Sequence, residues 1–347
     1  PVQIAMKTDR VSRIKGFFSG VLHWVYYTPL RRHGYVWNQF IIWGSFVGGL
    51  MCLLGLVLGI QRLSLTARFR RRGRPALSPY SGLLRWHHYA GLLFGLVTFT
   101  WTLSGAFSVN PFGMFSGGAR LTAEQRDVIR GGPFAVERID LEGLQAGAAV
   151  LARHFPVKEI DVLQFRGALY LTATRAPSML DVGREEGPAE PRMVALADPG
   201  QGTFARFDAA VVEPIPDEIM TDVPIRDRVW LDEYDFYYRS RDAARPLPVL
   251  RVRYRDDQGT WLYLDPQTAN VSVLSQRSRV RRWLYDAMHE FDIPYLYDRR
   301  PLWDIVVIGF SIGGVVLAGT TLWPGFKRVG RHVGRLFGLR RYGRLTD

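Results

Sequence analysis

The chain has 347 residues, 47% of them hydrophobic, enough to bury a sizeable core. Its formal net charge is +13, but the excess stands in two acid-free basic blocks beside long apolar runs, a pattern of membrane flanks rather than of nucleic-acid binding. The single cysteine, Cys52, excludes an internal disulfide framework, and no C-x-x-C-H offers covalent haem attachment.

In chain order, residues 1–19 open on the strand-like "PVQIAMKTDR". Residues 20–35, "GVLHWVYYTPLRRHGY", mix aromatic, basic and apolar residues as an interfacial helix does. Val36–Ile60 is uncharged and long enough to span a bilayer. Residues 61–85 form a basic loop, with seven Arg and no acid between Arg62 and Arg85. A second uncharged span follows at 86–109, its apolar core running from Tyr89 to Val109.

Residues 110–278 read as a soluble α+β domain. Helical spacing covers 137–155. Hairpins are predicted at 158–174 around Arg166-Gly167, at 192–207 around a Pro-Gly turn, and at 247–274 around Asp257-Gln258-Gly259. Residues 176–191 are a polar loop rich in Pro and Gly. Another interfacial helix is expected over 279–301 and a third span over 302–323. The basic tail 324–347 carries seven Lys or Arg between Lys327 and Arg344. The positive-inside rule places both basic segments in the cytoplasm, and the 110–301 loop on the opposite side. Trp37, Trp43, Trp303 and Trp323 stand near span ends as an aromatic belt would.

The two interfacial segments repeat one another. His23 precedes Trp37 by the same fourteen residues that separate His289 from Trp303. Aligning the histidines also pairs Arg13 with Arg279, Phe17 with Trp283, Ser45 with Ser311 and Gly48 with Gly314. Residues 1–19 then correspond to the tail of the 110–278 domain. The expectation is a longer native protein with an earlier span and an earlier soluble domain.

"RWHHYAGLLFGLVTFTWTLSGAFSVNPFG" (85–113) resembles the transmembrane signature of the PepSY-associated membrane proteins, with His87, Gly91, Ser104 and Gly105 at the matching positions. "LPVLRVRY…GTWLYLDPQTANV" resembles the end of a PepSY domain, and "MHEFDIPYLYDRRPLWD" the lead into the family's last span. The resemblance implies a bacterial inner-membrane protein. Its expected fold is an all-α transmembrane bundle, three spans here and four natively, carrying a periplasmic α+β PepSY-like domain. It further implies a haem-dependent reductase of ferric siderophores. With no H-E-x-x-H, proteolysis has no support.

Non-covalent haem b needs axial ligands, and imidazole from a bundle helix is a common choice. Two haems are expected in the full-length protein, one toward each membrane face. His87, with His88 as its alternative, is the candidate ligand at the cytoplasmic end. His23 and His289 are the candidate iron ligands of the outer site, converging from the two repeats. Interface anchoring is the bland reading of all four. Arg13 and Arg279 are candidates for haem propionates or for an anionic substrate, and lipid headgroups are their bland alternative. Trp101, Phe99 and Phe107 either line a haem pocket or pack the core. Without G-x-G-x-x-G or a P-loop, the electron donor is expected to be a cytoplasmic protein or membrane quinol. The expected function is outward electron transfer to ferric iron in the periplasm. The alternative is a non-redox membrane protein whose PepSY domain binds peptides or regulates a partner.

Overall fold

The computed structural model describes residues 8–336 apart from 67, 72, 118–119, 176–191 and 240–244. The polar 176–191 loop and most of the strand expected at residues 1–10 lie outside the described residues. The chain divides into two compact units, Pro1–Gly113 with Trp283–Asp347, and Met114–Arg282.

The first unit holds three helices long and apolar enough to cross a membrane: Gly34–Arg62, Gly82–Ser108 and Leu302–Leu336. The second packs against both of the others. Small residues make the approach close, since a Cβ at Gly313 would overlap the Phe94 ring, and Gly49 sits against Leu103. Phe40, Trp43, Val47, Leu50, Leu54 and Leu58 of the first helix are exposed. A helix that is apolar on its outward face as well as at its packing face suits lipid rather than water. The third helix passes through Pro324 and runs beyond the predicted end at 323. Its extension, "KRVGRHVGRL", is polar enough to leave the apolar layer while staying helical. Between the first two helices the basic loop forms a small hairpin, β1 (Phe69–Arg71) with β2 (Arg74–Ala76).

The repeat seen in the sequence recurs in the backbone. Helix Arg10–Gly16 starts with a capping box of Asp9 and Ser12, then widens into a π-helix over Phe17–His23. Helix Gln276–Arg281 starts with a capping box of Ser275 and Ser278, then widens into a π-helix over Arg282–Ala287. Each reciprocal cap satisfies two donors that a helix start leaves open. Both helical runs therefore begin earlier than the interfacial segments predicted from residues 20 and 279. After the helical run the chain turns through Val25 at φ 54° and Phe291 at φ 53°, again equivalent positions. Trp37 Nε1 then donates to the Val25 carbonyl and Trp303 Nε1 to the Glu290 carbonyl, each at 3.1 Å.

The second unit is built on two antiparallel sheets. One has the order β3 (Val157–Phe165), β4 (Ala168–Arg175), β5 (Arg192–Ala195). The other is a meander of β6 (Ile225–Leu231), β7 (Val249–Tyr254), β8 (Trp261–Leu264) and β9 (Val271–Leu274). The β3–β4 turn falls at Arg166-Gly167 as predicted. The predicted 192–207 hairpin is reduced to one short strand and a bridge from Met193 to Phe204. Alternation in β7 sends Leu250, Val252 and Tyr254 into a core with Phe165, Phe207 and Ile215. Arg251 and Arg253 face the other way, opposite Tyr263 and Trp261 of β8. There Asp235 accepts from Arg251 at 2.9 Å and from the Tyr263 hydroxyl at 2.8 Å. The predicted helix is shorter than expected, Leu141–Leu151, and starts at Asp140, whose carboxylate accepts from the Gly143 amide at 2.6 Å.

Candidate functional site

Two cavities open in the helical unit, toward opposite ends of the second long helix. The first, about 540 Å³, is lined by Met51, Cys52 and Gly59 of the first helix, by His87, Gly91 and Gly95 of the second, and by Leu317 and Thr321 of the third, among others. The second, about 470 Å³, is lined by His23, Trp37, Trp101, Gly105, Tyr285 and His289, with others. His87 and Ser104, which serve the two cavities, stand seventeen residues apart on one helix. At 1.5 Å per residue that is about 25 Å along its axis.

The adjacent histidines of the second helix have different partners. His88 is buried, with Nε2 2.7 Å from the Gly59 carbonyl and Nδ1 2.8 Å from Ser78 Oγ. A carbonyl only accepts, so His88 Nε2 carries the proton and Nδ1 accepts from Ser78. Both nitrogens are committed, and His88 ties the first two helices to the basic loop. His87 has Nδ1 2.9 Å from Thr321 Oγ1 and 3.3 Å from Thr320 Oγ1. Both threonines donate their own hydroxyl protons to carbonyls of their helix, including that of Leu317. Their oxygens therefore accept from His87 Nδ1–H, and Nε2 keeps its lone pair for another partner.

The other cavity follows the same logic. His289 Nδ1 lies 3.0 Å from Ser104 Oγ, which donates to the Trp101 carbonyl at 3.1 Å. The fully buried Ser104 thus accepts from Nδ1–H, and His289 also presents an unprotonated Nε2. The rings of His23 and His289 stand 5.7 Å apart at 47°. Tyr285 stacks on His289 at 5.2 Å. Burial, and secondarily the nearby His23, lower the His289 pKa, which favours the neutral ring that a metal requires.

The remaining predicted residues are dispersed. Arg13 is exposed on helix Arg10–Gly16. Arg279 belongs to the sheet unit, where it stacks on Trp261 at 4.5 Å and donates to the Gly259 carbonyl at 2.8 Å. Trp101 lines the His23–His289 cavity, whereas Phe99 and Phe107 are not among its lining residues. The hydroxyl partners Ser104, Thr320 and Thr321 were not singled out as ligand supports in the sequence. A Ser or Thr in an apolar span carries no individual signal, because such residues also bond back to their own helix.

No family model, curated protein or solved structure matches the chain.

The residues present can be tested against a haem. Two imidazoles on one iron put ring centres about 6 Å apart, taking about 2.0 Å for each metal–nitrogen bond and about 1.1 Å from nitrogen to ring centre. The 5.7 Å separation fits that spacing. The His87 cavity offers one imidazole with a free Nε2, while Met51 and Cys52 bring sulfur into the same lining. Among the described residues no cluster of three or more His, Cys, Asp or Glu could hold a bare metal ion. A macrocycle that brings four of its own ligands needs no such cluster.

Proposed function

We propose that the chain is a haem-b electron-transfer protein of the bacterial inner membrane, related to the PepSY-associated proteins, that passes electrons outward to ferric iron, most naturally as a siderophore complex. The carrying observation is the pair of cavities, each presenting an imidazole whose Nδ1 is held by a hydroxyl, with His87 and the His289 partner Ser104 about 25 Å apart along one helix. A bilayer core is about 30 Å thick, so ligands near both faces are what a transmembrane electron path needs. Haem, when bound, supplies the one-electron chemistry.

The roles then fall to named residues. His23 and His289 would hold the outer group, and Ser104 fixes His289 in the ligating tautomer. His87 would hold the inner group, with Thr320 and Thr321 fixing it in the same way. In a bilayer the spans would limit water access to both cavities. The basic 61–85 loop and the tail face the cytoplasm in this reading, and the sheet unit faces the periplasm. With both His23 and His289 engaged in holding the outer group, ferric iron would have to be met outside this cavity.

The visible spectrum of the purified protein tests the reading. Bis-imidazole bands are expected, with haem content falling by about half in the His23→Ala, His289→Ala double variant. Equal content in wild type and double variant would reduce the two residues to interface anchors. A colourless wild-type protein that takes up no added haem would favour the non-redox alternative, in which the sheet unit binds peptides or a partner.

A further inference from the structure

We propose that the two imidazoles of the outer cavity have unequal tasks: His289 is the fixed ligand of the bound group, and His23 is the exchangeable one, which gives up its place to a small external ligand. The inference rests on the haem reading above.

The repeat makes the comparison direct. His23 aligns with His289, and four residues earlier Ser19 aligns with Tyr285. His289 is held on two sides. Its Nδ1 lies 3.0 Å from the Oγ of the fully buried Ser104, and the Tyr285 ring stacks on it at 5.2 Å and 23°. His23 has neither support. It is exposed, and among the described residues no hydrogen bond holds either of its ring nitrogens. Ser19 has no ring to stack, and its hydroxyl donates back to the Lys15 carbonyl at 2.9 Å. No residue of Arg10–His23 is buried, whereas Ala287 of the second copy is. The backbone does not make the difference, since the chain turns at φ 54° at Val25 and at φ 53° at Phe291. The two copies diverge at their side chains.

That divergence bears on ligand strength. A hydrogen bond to the far nitrogen of a ligating imidazole fixes its tautomer and raises its basicity, and losing such a partner typically costs roughly ten- to a hundredfold in metal affinity. His289 has this support and His23 lacks it, so His23 is the first of the two to let go. Its segment is unburied, so its departure uncovers the site without disturbing the packing of the long helices. His289 meanwhile keeps the group in the cavity.

The test uses the detergent-solubilised 347-residue chain carrying His87→Ala as the parent, so that only the outer site reports. Haem is titrated spectroscopically, and carbon monoxide is added to the dithionite-reduced protein. His289→Ala should weaken haem binding at least about tenfold more than His23→Ala does. In the parent, carbon monoxide should replace the bis-imidazole bands at a rate independent of its concentration, the rate at which His23 lets go. In His23→Ala the rate should instead rise with concentration. Equal losses of haem in the two variants, or a larger loss with His23→Ala, would overturn the inference and leave the haem reading in place. So would a parent with bis-imidazole bands that carbon monoxide leaves unchanged. If His289→Ala fails to fold, Ser104→Ala takes its part, with haem affinity about tenfold below the parent expected and unchanged affinity overturning the assignment. A parent without bis-imidazole bands removes the haem reading and this inference together.

Discussion

His87 and His88 are neighbours in sequence, yet their hydrogen bonds give them different chemistry. His88 donates to Gly59 and accepts from Ser78, so its loss would strand a partly buried carbonyl. His88→Ala should lower stability by about 1–3 kcal/mol. His87→Ala should leave stability nearly unchanged and remove the inner absorbance instead. Chemical unfolding combined with haem quantification separates the two effects, and interchanged phenotypes would reverse the assignment. The lowered pKa of His289 has its own consequence. A ring that takes up a proton less readily folded than unfolded stabilises fully above its ordinary pKa of 6.5. That stability is lost as the pH falls through this value toward the folded pKa. Thermal unfolding of the haem-free protein between about pH 7.5 and 5.5 should therefore show a steeper loss in wild type than in His289→Gln. Parallel curves for the two proteins would mean that His289 is not the titrating group. His23 and His289 were singled out in the sequence through their repeat spacing, and His87 through its motif and its place at a span end. Their tautomers were not legible, because a tautomer depends on hydroxyls contributed by other helices.

At the scale of elements, the duplicated capping boxes, π-helices and left-handed turns are one device used twice. A π-helical stretch shifts the register of the side chains at and beyond its end, and here His23 is the last residue of the stretch in one copy while His289 follows it closely in the other. Neither the π-helices nor the caps were predicted, since the apolar spacing before the histidines looks the same for α- and π-winding over so few residues. In the sheet unit the strands of β3–β4 and β7–β9 were readable from alternation and turn residues. Strand β6 was missed because its partners lie far along the chain, and helix Ala123–Arg130 because it is too polar to show a periodic stripe. That helix ends at Gly131 with φ 77°, where the Arg166-Gly167 turn docks against it. A Cβ at Gly131 would collide with the Gly167 backbone. Gly131→Ala should therefore cost about 2 kcal/mol or more through both backbone strain and overlap. Gly16→Ala, in a helix with nothing within 4 Å of its Cβ, should be neutral or slightly stabilising. Equal midpoints for the two variants in a denaturant titration would refute the docking argument.

For the whole molecule, the three apolar helices and the two acid-free basic segments form one orientation argument. An alkaline phosphatase reporter, active only in the periplasm, should be silent when fused after Gly73 and active when fused after Gly187. The opposite pattern would invert the orientation and exchange the faces assigned to the two cavities. The spans were the most legible part of the sequence, because twenty uncharged apolar residues have few other uses. Which helices touch was not legible. The second helix became the central one through Gly313 against Phe94 and Gly49 against Leu103, contacts that no single stretch of sequence displays.

The left-handed turn at Val25 leads from these packing details to evolvability. A β-branched residue at φ 54° is held against its own preference, at a cost of about 1–3 kcal/mol, and the repeat holds Phe291 in the same conformation. Glycine would relieve most of that cost, so Val25→Gly is expected to raise the melting temperature. The same change would free the chain just after His23 and loosen the seat of its imidazole. Selection for stability alone would have found glycine easily at the first turn, since a single nucleotide change converts a valine codon to a glycine codon. Neither copy has it, which marks the turns as places where rigidity has been kept at the expense of robustness.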